Sequence, residues 1–192
     1  MNRDDALNRP EAEPPALFRC GGVAAVYPHE RPAGTWIAAS EYGVSFAVLN
    51  WDRPKPGAKG QSRGGVIPAV ISCPSLADAQ SALAARELGG AWPFRLFGFF
   101  GPKRLVCEWR WDGAKLAAQS HPWKHKHWFS SGLSDKEAAR RRQPLCDSAL
   151  RLPGCGTLAW LRRVHCVHGE APGPFSICVH RPDAATLSYT LG

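Results

Sequence analysis

The chain has 192 residues, 44% of them hydrophobic, which is enough apolar side chain to bury a single-domain core and excludes wholesale disorder. Its 24 basic and 16 acidic side chains give a net charge of +8. That field permits an acidic partner without defining a site, and the dense basic runs Arg140–Arg142 and Arg162–Arg163 read as solvated faces, so nucleic acid is not expected as a partner.

Along the chain, the first fifteen residues hold prolines at 10, 14 and 15, and no regular element is expected there beyond the opening few residues. A short strand follows over Val23–Tyr27. Residues 34–40 and 44–50 are β-rich runs separated by Glu41-Tyr42-Gly43, the pattern of a hairpin with glycine at the left-handed position. Residues 51–62 are a loop by their prolines and glycines. A short helix limited by Pro68 is expected over residues 63–72, and a better one over 75–88, capped by Ser75 and ended by Gly89-Gly90. Residues 94–100, 104–111 and 115–119 form an antiparallel meander with turns at Gly101-Pro102 and Asp112-Gly113. A helical region over 134–150 is expected to be interrupted at Pro144. A last hairpin is expected from residues 175–180 and 185–190. Strands that come in adjacent groups favour an α+β fold with antiparallel sheets, arranged as a single domain.

No apolar run approaches the roughly 18 residues of a membrane helix, and no signal-peptide core opens the chain, so a cytoplasmic protein without a membrane span is expected. The seven cysteines (Cys20, Cys73, Cys107, Cys146, Cys155, Cys166 and Cys178) are an odd number without framework spacing and read as reduced thiols. His121, His125 and His127 lie in a run rich in tryptophan and lysine. Their spacing fits no closed zinc site, and a solvated basic-aromatic loop is expected. Cys166-Val-His168 and Cys178-Val-His180 each place two ligand types on one face if they lie on strands, which leaves a zinc-stabilised module as one alternative. The spacing matches no named zinc family, so no metal and no cofactor are assigned.

Several segments carry a resemblance when taken in order: Asn2-Arg3-Asp4-Asp5, Arg9-Pro10, AGTWIA at 33–38, the strand ending in Leu49-Asn50, Ser62-Arg63-Gly64, PFRLFGF at 93–99 and SICVHRPDAATLS at 176–188. Together they resemble the NRDE family, which includes the transport and Golgi organisation 2 proteins. The family is similar to N-terminal-nucleophile hydrolases, so the resemblance implies an αββα sandwich of antiparallel sheets and hydrolysis of a small non-peptide amide. It implies that Arg3 contacts the nucleophile, that Asp4 or Asp5 is its acidic neighbour, and that Asn50 supplies the oxyanion hole. His180 and Arg181 match only by position. In such hydrolases the nucleophile is a cysteine at the amino terminus, whose own α-amino group acts as base.

Family members open with a hairpin that starts at this cysteine, and their NRDE closes its second strand. The present chain begins inside that motif. The expectation is therefore a start codon assigned too late, or else a truncated gene copy, with a short C-terminus and no activity in the chain as written. Loss of the hairpin is expected to expose ladder groups on the neighbouring strand and to impair folding or solubility. The resemblance also implies an alternative of another class, a non-catalytic binding or trafficking protein. In that case the His/Trp/Lys loop would suit an anionic haem.

Overall fold

A computed structural model describes residues 1–30, 34–51 and 60–191. Most of the loop read at 51–62, and Ala33 of the AGTWIA segment, lie outside the described residues. The chain forms two compact units, one of residues 1–10 with 126–191 and one of residues 11–125. The expected class, mixed α and β with antiparallel sheets, is what the fold shows. Among the described residues no helix is long and apolar enough to cross a membrane.

The unit of residues 11–125 is built on a seven-stranded sheet in which each strand pairs with the next in sequence. Its strands are β2 (Glu13–Cys20), β3 (Val23–His29), β4 (Ile37–Ser40), β5 (Val44–Asn50), β6 (Phe94–Phe100), β7 (Leu105–Trp111) and β8 (Leu116–His121). The expected hairpin is β4–β5, and Gly43 takes φ +67° at its turn, as that turn requires. The expected meander is β6–β7–β8, with Gly113 at φ +99°. Alternation sorts the strands cleanly. Val44, Phe46 and Val48 on β5 face the same side as Phe94, Leu96 and Phe100 on β6 and Trp109 and Trp111 on β7, and all are buried. Gly98 leaves room on that side, because a Cβ there would meet Phe46, Phe100 and Trp109 at 2.9–3.0 Å.

The same core takes in helix α1 (Leu76–Ala84) through Ala79 and Leu83, and the segment before it through Val66, Ile67, Val70 and Ile71. Ser75 caps α1 as expected, its Oγ accepting the amide of Asp78 at 3.2 Å. The helix expected over 63–72 is instead a short 3-10 turn, Arg63–Gly65, followed by turns. Gly64, Gly65 and Pro68 deny that stretch a regular ladder, while its four buried side chains hold it against the sheet.

A second correction falls at β2. Pro14 and Pro15 marked it as irregular, yet it pairs with β3, with a break in register between Glu13 and Ala16. It is an edge strand, where a missing amide hydrogen costs no ladder bond on the open side.

In the other unit, β1 (Asn2–Ala6) pairs antiparallel with β9 (Ala184–Tyr189). The expected hairpin of 175–180 with 185–190 is therefore corrected. Residues 175–180 form only isolated bridges, and the partner of β9 is the opening strand. Helix α2 (Asp135–Ala149) is capped by Ser134 and runs through Pro144 without interruption. Its burial of Ala138, Arg142, Cys146 and Ala149 along one face outweighs the single hydrogen bond that proline forfeits. Helix α3 (Leu158–His165) is an element the sequence reading lacked. Its cap is Thr157, which accepts the amide of Trp160. Trp160, Val164, Cys146, Ala149 and Ile177 form the core of this unit, where the Trp160 indole donates to the Ala149 carbonyl at 2.8 Å.

Candidate functional site

The NRDD strand is ordered and side-chain specific. Asn2 donates to the carbonyls of His165 and Ile177 at 2.9 and 2.8 Å and shares a 2.9 Å hydrogen bond with the His165 ring, so it ties β1 to the end of α3. His165 lies at 4.5 Å from the Tyr189 ring. Burial, reinforced by the Met1 ammonium, lowers its pKa to about 4. The Met1 ammonium donates to the Thr190 carbonyl, and burial lowers its own pKa to about 6.

Arg3 is only 7% exposed and donates to Asp5 Oδ2 at 2.7 Å. The other Asp5 oxygen accepts the Ala6 amide at 2.9 Å and Arg9 at 3.3 Å. Asp5 is thus the acidic partner of Arg3, while Asp4 alternates to the exposed side and accepts the Thr186 hydroxyl across the β1–β9 pair. The Arg142 and Arg181 guanidiniums lie within electrostatic reach of Asp4.

His180 lies in the same unit as Arg3 and Asp4, at an isolated bridge with Ala185. Its ring points at His168, with the two Nε2 atoms 2.9 Å apart, and Cys178 Sγ stands 3.8 Å from His180 Nε2. Cys166 and His168 are not on a strand. Cys166 closes α3 and His168 follows it. Arg181 is engaged in an ion pair with Asp183.

Asn50 belongs to the unit of residues 11–125, where it ends β5 opposite Phe94 with its side chain exposed. That unit also explains two of the quoted segments. Gly34 and Gly64, from AGTWIA and Ser62-Arg63-Gly64, meet backbone to backbone. A Cβ on Gly64 would lie 2.8 Å from the Gly34 Cα, and the Thr35 amide donates to the Gly64 carbonyl at 3.2 Å.

His121 is not part of a solvated loop. It ends β8 with a side chain only 5% exposed, hydrogen-bonded to Glu108 at 2.7 Å. Glu108 is fully buried and also accepts Arg95 at 2.7 Å and Arg110 at 2.8 and 3.0 Å. Burial pushes its carboxyl upward, but the two guanidiniums and the imidazole override this and hold its pKa at about 2. His127 stacks on Phe129, and Lys126 lies over the Trp128 ring.

Sequence reasoning missed Glu108 and His165. The signal for Glu108 is a lone carboxylate inside the apolar strand LVCEWRW, which demands buried partners. His165 had no such signal, because its importance depends on α3 meeting β1.

No family model matches the sequence, and no curated protein matches it. Among solved structures, the chain is similar to penicillin V acylase from Agrobacterium tumefaciens, at 13% identity and a TM-score of 0.44, covering 79% of this chain and 55% of that one. The chain therefore spans little more than half the length of that enzyme.

Proposed function

We propose that this chain carries the scaffold of an NRDE-type, N-terminal-nucleophile amide hydrolase. The observation that supports this most is the pairing of the NRDD strand with β9, which takes in the last five residues of the SICVHRPDAATLS segment, with the Arg3 guanidinium buried beside Asp5. Taking the Arg3 charge out of water is costly unless a partner offsets it, and Asp5 is that partner.

In this function the nucleophile is a cysteine whose free α-amino group takes the thiol proton as the sulfur attacks the amide carbon. Arg3 steadies the resulting thiolate, with Asp5 fixing its orientation. The resemblance assigns the oxyanion donor to Asn50, a role worth roughly 3–4 kcal/mol in acyl-transfer sites. The resemblance adds Asp4 as an acidic neighbour of Arg3 and His180 by position alone.

Reading the bases upstream of Met1 tests this function. An in-frame Met-Cys followed by two apolar strands is expected, and the longer product should hydrolyse small acyl amides in a way that thiol alkylation abolishes. An upstream sequence with no such cysteine codon, in or out of frame, would remove the basis of the proposal.

A further inference from the structure

We propose that His168, Cys178 and His180 form a binding site for a divalent zinc-type ion, with a fourth coordination position open to solvent. The inference rests on side-chain convergence and does not depend on the amidase function. The two histidine Nε2 atoms and the cysteine Sγ all lie within 4.8 Å of one another. Zinc held at about 2.0–2.1 Å by imidazole and 2.3 Å by thiolate in a tetrahedron places two nitrogens roughly 3.3 Å apart, and nitrogen and sulfur roughly 3.6 Å apart. The observed separations are 2.9 Å between the nitrogens and 3.8 Å from His180 Nε2 to the sulfur, and small ring rotations close both differences.

The backbone around these donors is fixed from several directions. The Cys178 amide donates to the Val167 carbonyl at 3.0 Å, and the His180 amide to the Gly173 carbonyl at 3.1 Å. The buried Ser176 hydroxyl donates to the His168 carbonyl at 2.9 Å. The Val179 amide donates to Thr186 Oγ1 at 2.8 Å. The turn after α3 and the segment before β9 are therefore held together independently of the donors. Asp4 adds a negative charge within reach of Cys178.

A hydrogen bond between two neutral imidazoles explains their 2.9 Å contact but gives no reason for a cysteine to join it. Cys166 is outside the converging set, which leaves three protein donors. His180 is exposed, so water takes the fourth place, as in open zinc sites. Two nitrogens and one sulfur suit zinc better than the oxygen-preferring cations.

Titration of the purified 192-residue chain with zinc and with cobalt tests the site. One ion per chain is expected, with a rise in melting temperature on zinc addition. Cobalt should show the visible bands of a tetrahedral site and a near-ultraviolet sulfur-to-metal band. Cys178→Ser should abolish the sulfur band, and Cys178→Ser, His168→Ala and His180→Ala should each weaken binding by at least about tenfold. His180 is exposed, so its replacement leaves the fold intact, which circular dichroism will verify. Cys155→Ser and Cys166→Ser should bind as the parent does. Failure of the folded chain to bind either ion, or unchanged binding in Cys178→Ser and His180→Ala, would overturn the site. Equal loss in Cys166→Ser would overturn its three-donor composition.

Discussion

Glu108 keeps its charge in a fully buried position because Arg95, Arg110 and His121 surround it. Its carboxyl titrates at about 2 in the fold against 4.5 in an open chain. A depressed carboxyl stabilises the fold fully above its unfolded value and loses that contribution as pH falls through the folded one. Acid unfolding should therefore steepen between pH 4.5 and about 2, with a contribution on the order of 3 kcal/mol. Glu108→Gln should lower stability at neutral pH by roughly 3 kcal/mol, since it takes the charged partner from the largely buried Arg95 guanidinium and from His121, and should flatten that acid limb in denaturant titrations. His165 acts in the same pH direction for a different reason, because burial disfavours its charged form. Its folded pKa of about 4 lies below the ordinary 6.5, so the unfolded chain binds the proton first. Stability should fall as pH drops from 6.5 toward 4, and a ring titration by NMR should find His165 neutral down to about pH 4. Gly64 is a purely steric case. Gly64→Ala sets a methyl 2.8 Å from the Gly34 Cα and should cost about 1–3 kcal/mol in thermal unfolding.

Local signals specified some elements and not others. Glycine at the β4–β5 turn, alternation through β6–β7–β8, and serine caps at 75 and 134 are all local, and all were legible. Ser134→Ala should cost about 1 kcal/mol of stability, read by denaturant melting, because its Oγ accepts the Glu137 amide at 3.2 Å. Elements decided by distant partners were not legible. β2 is a strand despite two prolines because it borders the sheet, and residues 63–72 are turns because packing, not a helical ladder, holds them. β9 seeks β1 across the whole chain, a pairing that no nearby turn announces. The site follows the same division. The sequence held both Cys-x-His pairs, but strand spacing was the wrong reason to join them. Three of the four groups converge because the end of α3 is bonded to the segment before β9. Arg3 was legible through its motif, whereas its partner Asp5 rather than Asp4 was settled by which side of β1 each residue takes.

At the scale of the molecule, the quoted segments are structural joints as well as motif pieces. Asn2 clasps α3, Gly34 meets Gly64, and the 176–188 segment supplies the partner of the opening strand. Such joints tie each segment into its own unit, and the proposed amidase function would add chemistry at Arg3 and at Asn50. The decisive assay compares amide turnover by a product read from upstream of Met1 with that of its Asn50→Ala and Arg3→Ala forms, at matched folded fraction. Turnover in the parent, with kcat reduced about a hundredfold or more in Asn50→Ala and comparably in Arg3→Ala, is the expected result. Turnover unaffected by either substitution, or none from a folded product that opens with cysteine, would contradict an amide-hydrolase scaffold.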